Sequence, residues 1–263
     1  MERLRYSTPP GRADLLRKSY LFQRVSPRTM DNLAQGSWES VYQPEEPIFH
    51  QGDDADKLYI VTRGSVRLER QSSEGQMTAL RSVHPMTPVG EDTLLNGGIH
   101  AATAAANEMT SMIVIPMTTN RLASLIANEP SMSIPLLASL VWRNWETVDL
   151  LREIRFLSSR ARTAKALHEL FSPFEFNGGN KHIRFLQIHL ARKLGLKREI
   201  LSKNLAYFTL RGAIDKKIKY RSTDLWLVDA DMLLTIFQEE TGSTLEAWQT
   251  SSANQSPSGP RVK

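Results

Sequence analysis

The stretch LQIHLARKLGLKREILSKNLAYFTLRGAI, residues 186–214, constrains this chain more than any other part of it. It reads as two short amphipathic helices interrupted by Gly195, the second of them basic. Ala191 lies four residues before the glycine, and a small side chain there lets two helices cross closely. Glycine tolerates the positive φ that ends a first helix, so Gly195 marks the turn. Leu190, Leu194, Leu196 and Leu201 fall where a helix-turn-helix needs apolar contacts. The second helix presents Lys197, Arg198, Glu199, Ser202 and Lys203 near its N-terminal half, the end that enters the major groove in this motif. Asn204 breaks the pattern, because an aliphatic side chain is usual there. A surface helical hairpin with a charged face is the competing reading of the same residues.

Charge is placed to match. The net charge is +5, but residues 1–158 hold 16 Lys+Arg against 18 Asp+Glu, whereas residues 159–240 hold 15 against 9. The basic excess therefore coincides with the helix-turn-helix pattern, the footprint of a part that meets phosphate. The chain has no cysteine, which removes disulfides, thiolate metal sites, cysteine-ligated iron–sulfur clusters and cysteine nucleophiles together. The six histidines, His50, His84, His100, His168, His182 and His189, show no tight ligand spacing, so neither haem nor a bound metal is expected. No apolar run resembles a secretory signal or a membrane span, and a cytoplasmic location is expected.

Along the chain five regions are expected. Residues 1–19, with Pro9-Pro10-Gly11, read as a flexible arm. Residues 20–130 are β-rich: Leu58–Thr62, Val66–Arg70, Ala79–Val83 and Ser111–Ile115 recur between turn signals such as Gln51-Gly52-Asp53-Asp54, Thr62-Arg63-Gly64-Ser65 and Ser72–Gly75. A small antiparallel sandwich or roll follows. Residues 131–158 predict a long helix on which Ile134, Leu137, Val141, Asn144, Val148 and Leu151 recur in steps of three and four. Such a seam packs on its own domain or on a second copy, and Asn144 can fix register in the latter case. Residues 159–240 form the basic domain: a helix over Arg160–Leu170, a loop over Phe174–Asn180, the two motif helices, then strands at Ile218–Arg221 and Leu225–Asp229 joined by Ser222-Thr223-Asp224. That wing carries Lys216, Lys217, Lys219 and Arg221. Residues 241–263, rich in Ser, Thr, Gly and Pro, read as a disordered tail.

This order of parts resembles the catabolite activator/FNR (CRP/FNR) family of bacterial transcription regulators, over about residues 20–232. The resemblance rests on Ile48-Phe49-His50-Gln51-Gly52-Asp53, Leu58-Tyr59-Ile60-Val61-Thr62-Arg63-Gly64-Ser65-Val66, Val89-Gly90-Glu91, Phe156-Leu157-Ser158-Ser159-Arg160-Ala161-Arg162-Thr163-Ala164-Lys165-Ala166-Leu167, and Gly195-Leu196-Lys197-Arg198-Glu199. It implies an α+β fold: an N-terminal antiparallel β roll of the cyclic-nucleotide-binding jelly-roll type, a long dimerisation helix, and a C-terminal winged helix-turn-helix. It implies double-stranded DNA and a second copy of the chain as partners, with RNA polymerase a further candidate. Arg198 and Glu199 match the family's base-reading pair, and Lys203 a basic residue of the same face. A guanidinium bonds guanine O6 and N7 together, and a carboxylate accepts from cytosine N4. Lys197 and Ser202 suit phosphate; Lys217 and Lys219 of the wing are further DNA-binding candidates, with solvating surface charge the competing reading of the wing lysines.

The effector pocket departs from the family. In its nucleotide-binding members an Arg-Ser pair after Gly-Glu holds the cyclic phosphate. Counting from Gly90 and Glu91 places Ala101 and Ala102 there. Thr147 matches a residue that meets the purine, and Val148 replaces the serine after it. A charge-assisted bond contributes on the order of 1.5–3 kcal/mol, and an uncompensated buried phosphate costs more still. Cyclic AMP is therefore not the expected effector, and the effector stays unassigned. His100 does not replace the missing cation, being largely neutral at pH 7 without an acidic neighbour. The expected function is a homodimeric regulator reading an inverted repeat. The alternative is a ligand-sensing or interaction module whose basic domain meets a protein. No nucleophile elbow, phosphate-binding glycine loop or paired metal motif suggests an enzyme.

Overall fold

The computed structural model describes residues 2–4, 8–71, 77–171, 182–219 and 222–253. They fall into two compact units, Met1–Leu140 and Val141–Arg261.

The first unit is a roll of two antiparallel sheets with helices on one side. Its strands are β1 (Glu2–Leu4), β2 (Trp38–Tyr42), β3 (Pro47–Phe49), β4 (Lys57–Arg63), β5 (Val66–Gln71), β6 (Met77–Val83), β7 (Pro88–Val89), β8 (Thr103–Ala106) and β9 (Thr110–Pro116). One sheet runs β1-β2-β9-β4-β7 and the other β3-β8-β5-β6. The central strands explain themselves by period two. In β4, Tyr59 and Val61 point into the roll with Met112 and Val114 of β9. Leu58 and Ile60 point the other way with Ile113 and Ile115, into a second core. A strand buried on both faces reads as a continuous apolar run, as Leu58–Val61 does.

That second core is closed by α1 (Pro9–Lys18), α2 (Pro27–Gln35) and α4 (Thr119–Asn128), while the short α3 (Glu91–Leu95) follows β7. The expected flexible arm over 1–19 is thus corrected. Pro9 and Pro10 sit in the first turn of α1, where no amide hydrogen is needed. Ala13 and Leu16, three apart, are buried with Leu21, Phe22 and Met30. The expected turn at Ser72–Gly75 lies outside the described residues.

A single 3₁₀ turn, Pro130–Met132, leads into α5 (Ser133–Phe156). Leu136 of α5 joins the first unit's core. The expected seam is open: Ile134, Leu137, Val141, Val148 and Leu151 are 42–71% exposed, and Asn144 is exposed among them.

The second unit holds the end of α5, then α6 (Ser159–Phe171), β10 (His182–Phe185), α7 (Gln187–Lys193), α8 (Arg198–Leu210), β11 (Ile214–Lys219), β12 (Ser222–Leu227), α9 (Ala230–Thr241) and α10 (Leu245–Ala253). Its sheet runs β10-β12-β11, antiparallel throughout. The core gathers Leu157, Leu167 and Phe171 of the α5–α6 segment, Leu201, Leu205 and Phe208 of α8, and Ile236 and Phe237 of α9.

Three expectations are corrected here. The wing strands lie at 214–219 and 222–227, so Ser222-Thr223-Asp224 is strand, not connector. Turn-forming side chains were satisfied by tertiary partners instead: Asp224 accepts from Arg184 Nε at 2.6 Å and meets His182 Nε2 at 3.1 Å, and Thr223 Oγ1 accepts from Gln187 Nε2 at 2.9 Å. β10 supplies Arg184 and His182, and no strand was expected there. The tail expected to be disordered from 241 contains α10, with Leu245 buried in the core. Arg152 of α5 stacks over the Trp248 ring at 4.1 Å and donates to its carbonyl. The loop expected over Phe174–Asn180, Arg221 of the wing, and residues 254–263 lie outside the described residues.

Candidate nucleic-acid interface and effector site

The α7–turn–α8 unit is built as its residues require. Leu190, Ala191, Leu194, Leu201 and Leu205 are buried, so the two helices close on α6 through their apolar faces. Gly195 adopts φ +62°, a left-handed conformation that side chains resist. Leu196 N donates to Ala191 O across the turn at 2.8 Å. Arg162 of α6 donates from Nη1 to Leu194 O at 2.8 Å, tying the turn to α6. Its burial lowers the guanidinium pKa, partly offset by the charge of Glu153.

Burial of one face leaves the other to solvent. Lys197 caps the start of α8; Arg198 and Glu199 open its first turn; all three are exposed, as are Ile200 and Lys203. Ser202 is half-buried. The structure thus brings Lys197, Arg198, Glu199 and Lys203 onto one accessible face at one helix end. Unpaired amides at that end favour an anion. Lys217 of β11 is exposed, and Lys219 is placed by its backbone at the end of that strand. Asn204 is 5% exposed and donates from Nδ2 to Ser159 O and Thr163 Oγ1, both at 3.0 Å. The departure from the motif is therefore a satisfied buried amide, not a failed core position.

In the first unit, Gly90 has φ +95° and begins α3. A Cβ there would meet the Lys57 carbonyl at 3.3 Å and His100 Cε1 at 3.7 Å, so glycine is required on two counts. Glu91 is buried in the first turn of α3, where the helix N-terminus favours its charge. Ala101 is exposed and Ala102 half-buried before β8; neither side chain offers a donor. His100 is buried and stacked on Phe49 with ring centroids 3.6 Å apart. Burial pushes its pKa down, opposed by Asp92, Asp53 and Asp56, so the ring is neutral at pH 7 and no substitute for an arginine. Thr147 and Val148 belong to the other unit and are exposed on α5, where Thr147 Oγ1 donates to Arg143 O. Among the described residues no cluster of three His, Cys, Asp or Glu side chains suits a metal, and no helix is long and apolar enough to cross a membrane.

An antiparallel roll followed by a winged helix-turn-helix with a basic exposed end is the architecture of a DNA-binding regulator. Residues 39–129 match the cyclic nucleotide-binding domain family. The cyclic AMP receptor protein of Thermus thermophilus is 31% identical over 200 residues, covering 76% of this chain and 89% of that protein. A CRP-like cAMP-activated global transcriptional regulator of Mycobacterium tuberculosis is 28% identical over 204 residues, covering 76% and 90%. The crystal structure of a crp/fnr-family transcriptional regulator from Eubacterium rectale superposes with a TM-score of 0.69 at 18% identity, covering 83% and 97%. The chain belongs to the CRP/FNR family of DNA-binding transcription regulators.

Proposed function

We propose that this regulator acts as a homodimer on an inverted-repeat DNA site, without control by cyclic AMP. The observation that carries the reading is the exposed basic end of α8, with Arg198, Glu199 and Lys203 free of the core that holds its opposite face. Arg198 and Glu199 read base edges; Lys197, Ser202, Lys217 and Lys219 meet phosphate and set register. The open seam of α5 supports pairing of two copies: five large apolar residues on one helical stripe are costly in water, and a second α5 buries them. Two recognition helices related by a two-fold axis read half-sites about 10 bp apart, centre to centre.

The effector reading rests on Ala101 and Ala102. The named relatives respond to or receive cyclic AMP, but two methyl groups give its phosphate neither charge nor donor here. Gly90 and Glu91 remain in place, so the pocket keeps its backbone while losing the anion clamp. Footprinting on genomic fragments tests the whole reading. A protected pair of half-sites, unchanged by cyclic AMP, is expected. Protection that needs cyclic AMP overturns the effector reading, and the absence of protection under any condition overturns the function.

A further inference from the structure

Asn204 interrupts the apolar face of α8 between Leu201 and Leu205, and both of those leucines are fully buried. A buried carboxamide is costly unless bonded, and this one is bonded in a particular direction. Both acceptors, Ser159 O and Thr163 Oγ1, belong to the start of α6, one turn apart, and Thr163 Oγ1 itself donates to Ser159 O at 2.7 Å. That turn is held in its own right: Ser158 Oγ accepts from Ala161 N at 3.1 Å, and Arg160 pairs with Glu240 of α9 at 2.8 Å. From the same turn Arg162 reaches the Leu194 carbonyl at the α7–α8 turn. One turn on, Lys165 pairs with Glu153 of α5 at 2.8 Å. The start of α6 is thus bonded to α5, to the α7–α8 turn and to the middle of α8.

An aliphatic residue at 204 occupies the same core position but sets no direction, since apolar contacts tolerate small rotations that a hydrogen bond does not. We propose that Asn204 is a positioning residue for base recognition: its two bonds fix the rotation of α8 on the first turn of α6 and so aim Arg198, Glu199 and Lys203. The inference rests on the reading of α8 as the base-reading helix. Buried polar groups that select one arrangement over near-equivalent apolar ones are known, usually at some expense of stability.

The test uses the full chain as wild type, Asn204→Leu, Thr163→Val and the double variant. Affinity is measured for a duplex that the wild-type protein enriches from random DNA and for an unrelated duplex. Melting temperature and amide exchange over residues 198–205 are measured without DNA. Asn204→Leu is expected to melt at or above the wild-type temperature and to keep its affinity for the unrelated duplex. It loses about ten-fold on the enriched duplex, because the reading groups are no longer aimed. Its α8 amides exchange faster. The double variant is no worse than Asn204→Leu, because the two changes remove one shared bond. Unchanged amide exchange in Asn204→Leu overturns the role of Asn204 whatever the DNA result. So does an affinity loss equal on both duplexes that follows a drop in melting temperature. A wild-type protein that enriches no sequence overturns the recognition reading itself.

Discussion

At the start of α8 the charged groups that meet solvent are Lys197, Arg198, Glu199 and Lys203; at the entrance to β8 in the roll the corresponding residues are Ala101 and Ala102. Both places are surface features carried by a preserved backbone. Gly195 and Gly90 hold left-handed conformations at φ +62° and +95°; Gly195 makes the turn between α7 and α8, and Gly90 stands at the start of α3. What separates the two is the chemistry hung on that backbone. The end of α8 proposed to face DNA carries charge, directed donors and an acceptor. The proposed effector end presents the methyl groups of Ala101 and Ala102, with Glu91 and the stacked ring of His100 buried beside them. A fold can therefore retain the shape of a sensor while its ligand chemistry changes, because shape is fixed by glycines and buried apolar residues and specificity by a few polar tips.

The contrast can be broken most forcefully through α5. Val141→Asp places a carboxylate in the exposed apolar stripe. If that stripe joins two copies, the variant sediments as a monomer and loses specific binding almost entirely; an unchanged dimer shows that pairing lies elsewhere. Arg198→Ala comes next. It is expected to cost roughly 1–3 kcal/mol per base contact and to relax preference at one symmetric pair of bases. A uniform weakening over all sequences assigns Arg198 to phosphate.

Restoring the clamp sharpens the other half. Ala101→Arg with Ala102→Ser is expected to add on the order of 1.5–3 kcal/mol to the binding of cyclic AMP, seen by calorimetry as heat that the wild type does not give. Binding by the wild type itself contradicts the reading of the pocket. His100 gives a smaller effect with a defined sign. Its folded pKa is lowered by burial, so the unfolded chain binds the proton more readily. Its contribution to stability is full above the ordinary histidine value of 6.5 and falls as the pH is lowered from there toward the depressed value. Denaturant melts at pH 7.5 and 5.5 should show a smaller difference in His100→Phe than in wild type. An equal difference assigns the acid loss to other groups.

Much of the frame was legible because it follows from period. The runs at Leu58–Val61 and Met112–Ile115 mark strands, and the spacing of Ile134, Leu137 and Val141 marks a helix stripe. The helix-turn-helix was legible from Ala191, Gly195 and their leucines. What escaped depends on partners distant in the chain. Thr223 and Asp224 have turn propensity, but Gln187 and Arg184 satisfy them inside β12. Pro9-Pro10-Gly11 suggests a flexible arm although the prolines start α1, and Ser/Thr-rich composition hid α10, anchored by Leu245 and by Trp248 under Arg152. Asn204 reads as a break in the motif because its acceptors, Ser159 O and Thr163 Oγ1, lie about forty residues upstream on another helix.

The most direct measurement is selection of bound DNA from a random pool by the purified protein, in parallel with and without cyclic AMP. The account predicts one inverted repeat, with half-sites spaced by about one helical turn and enriched equally in both arms. Enrichment of a lone half-site, of nothing, or of a repeat that appears only with cyclic AMP contradicts it.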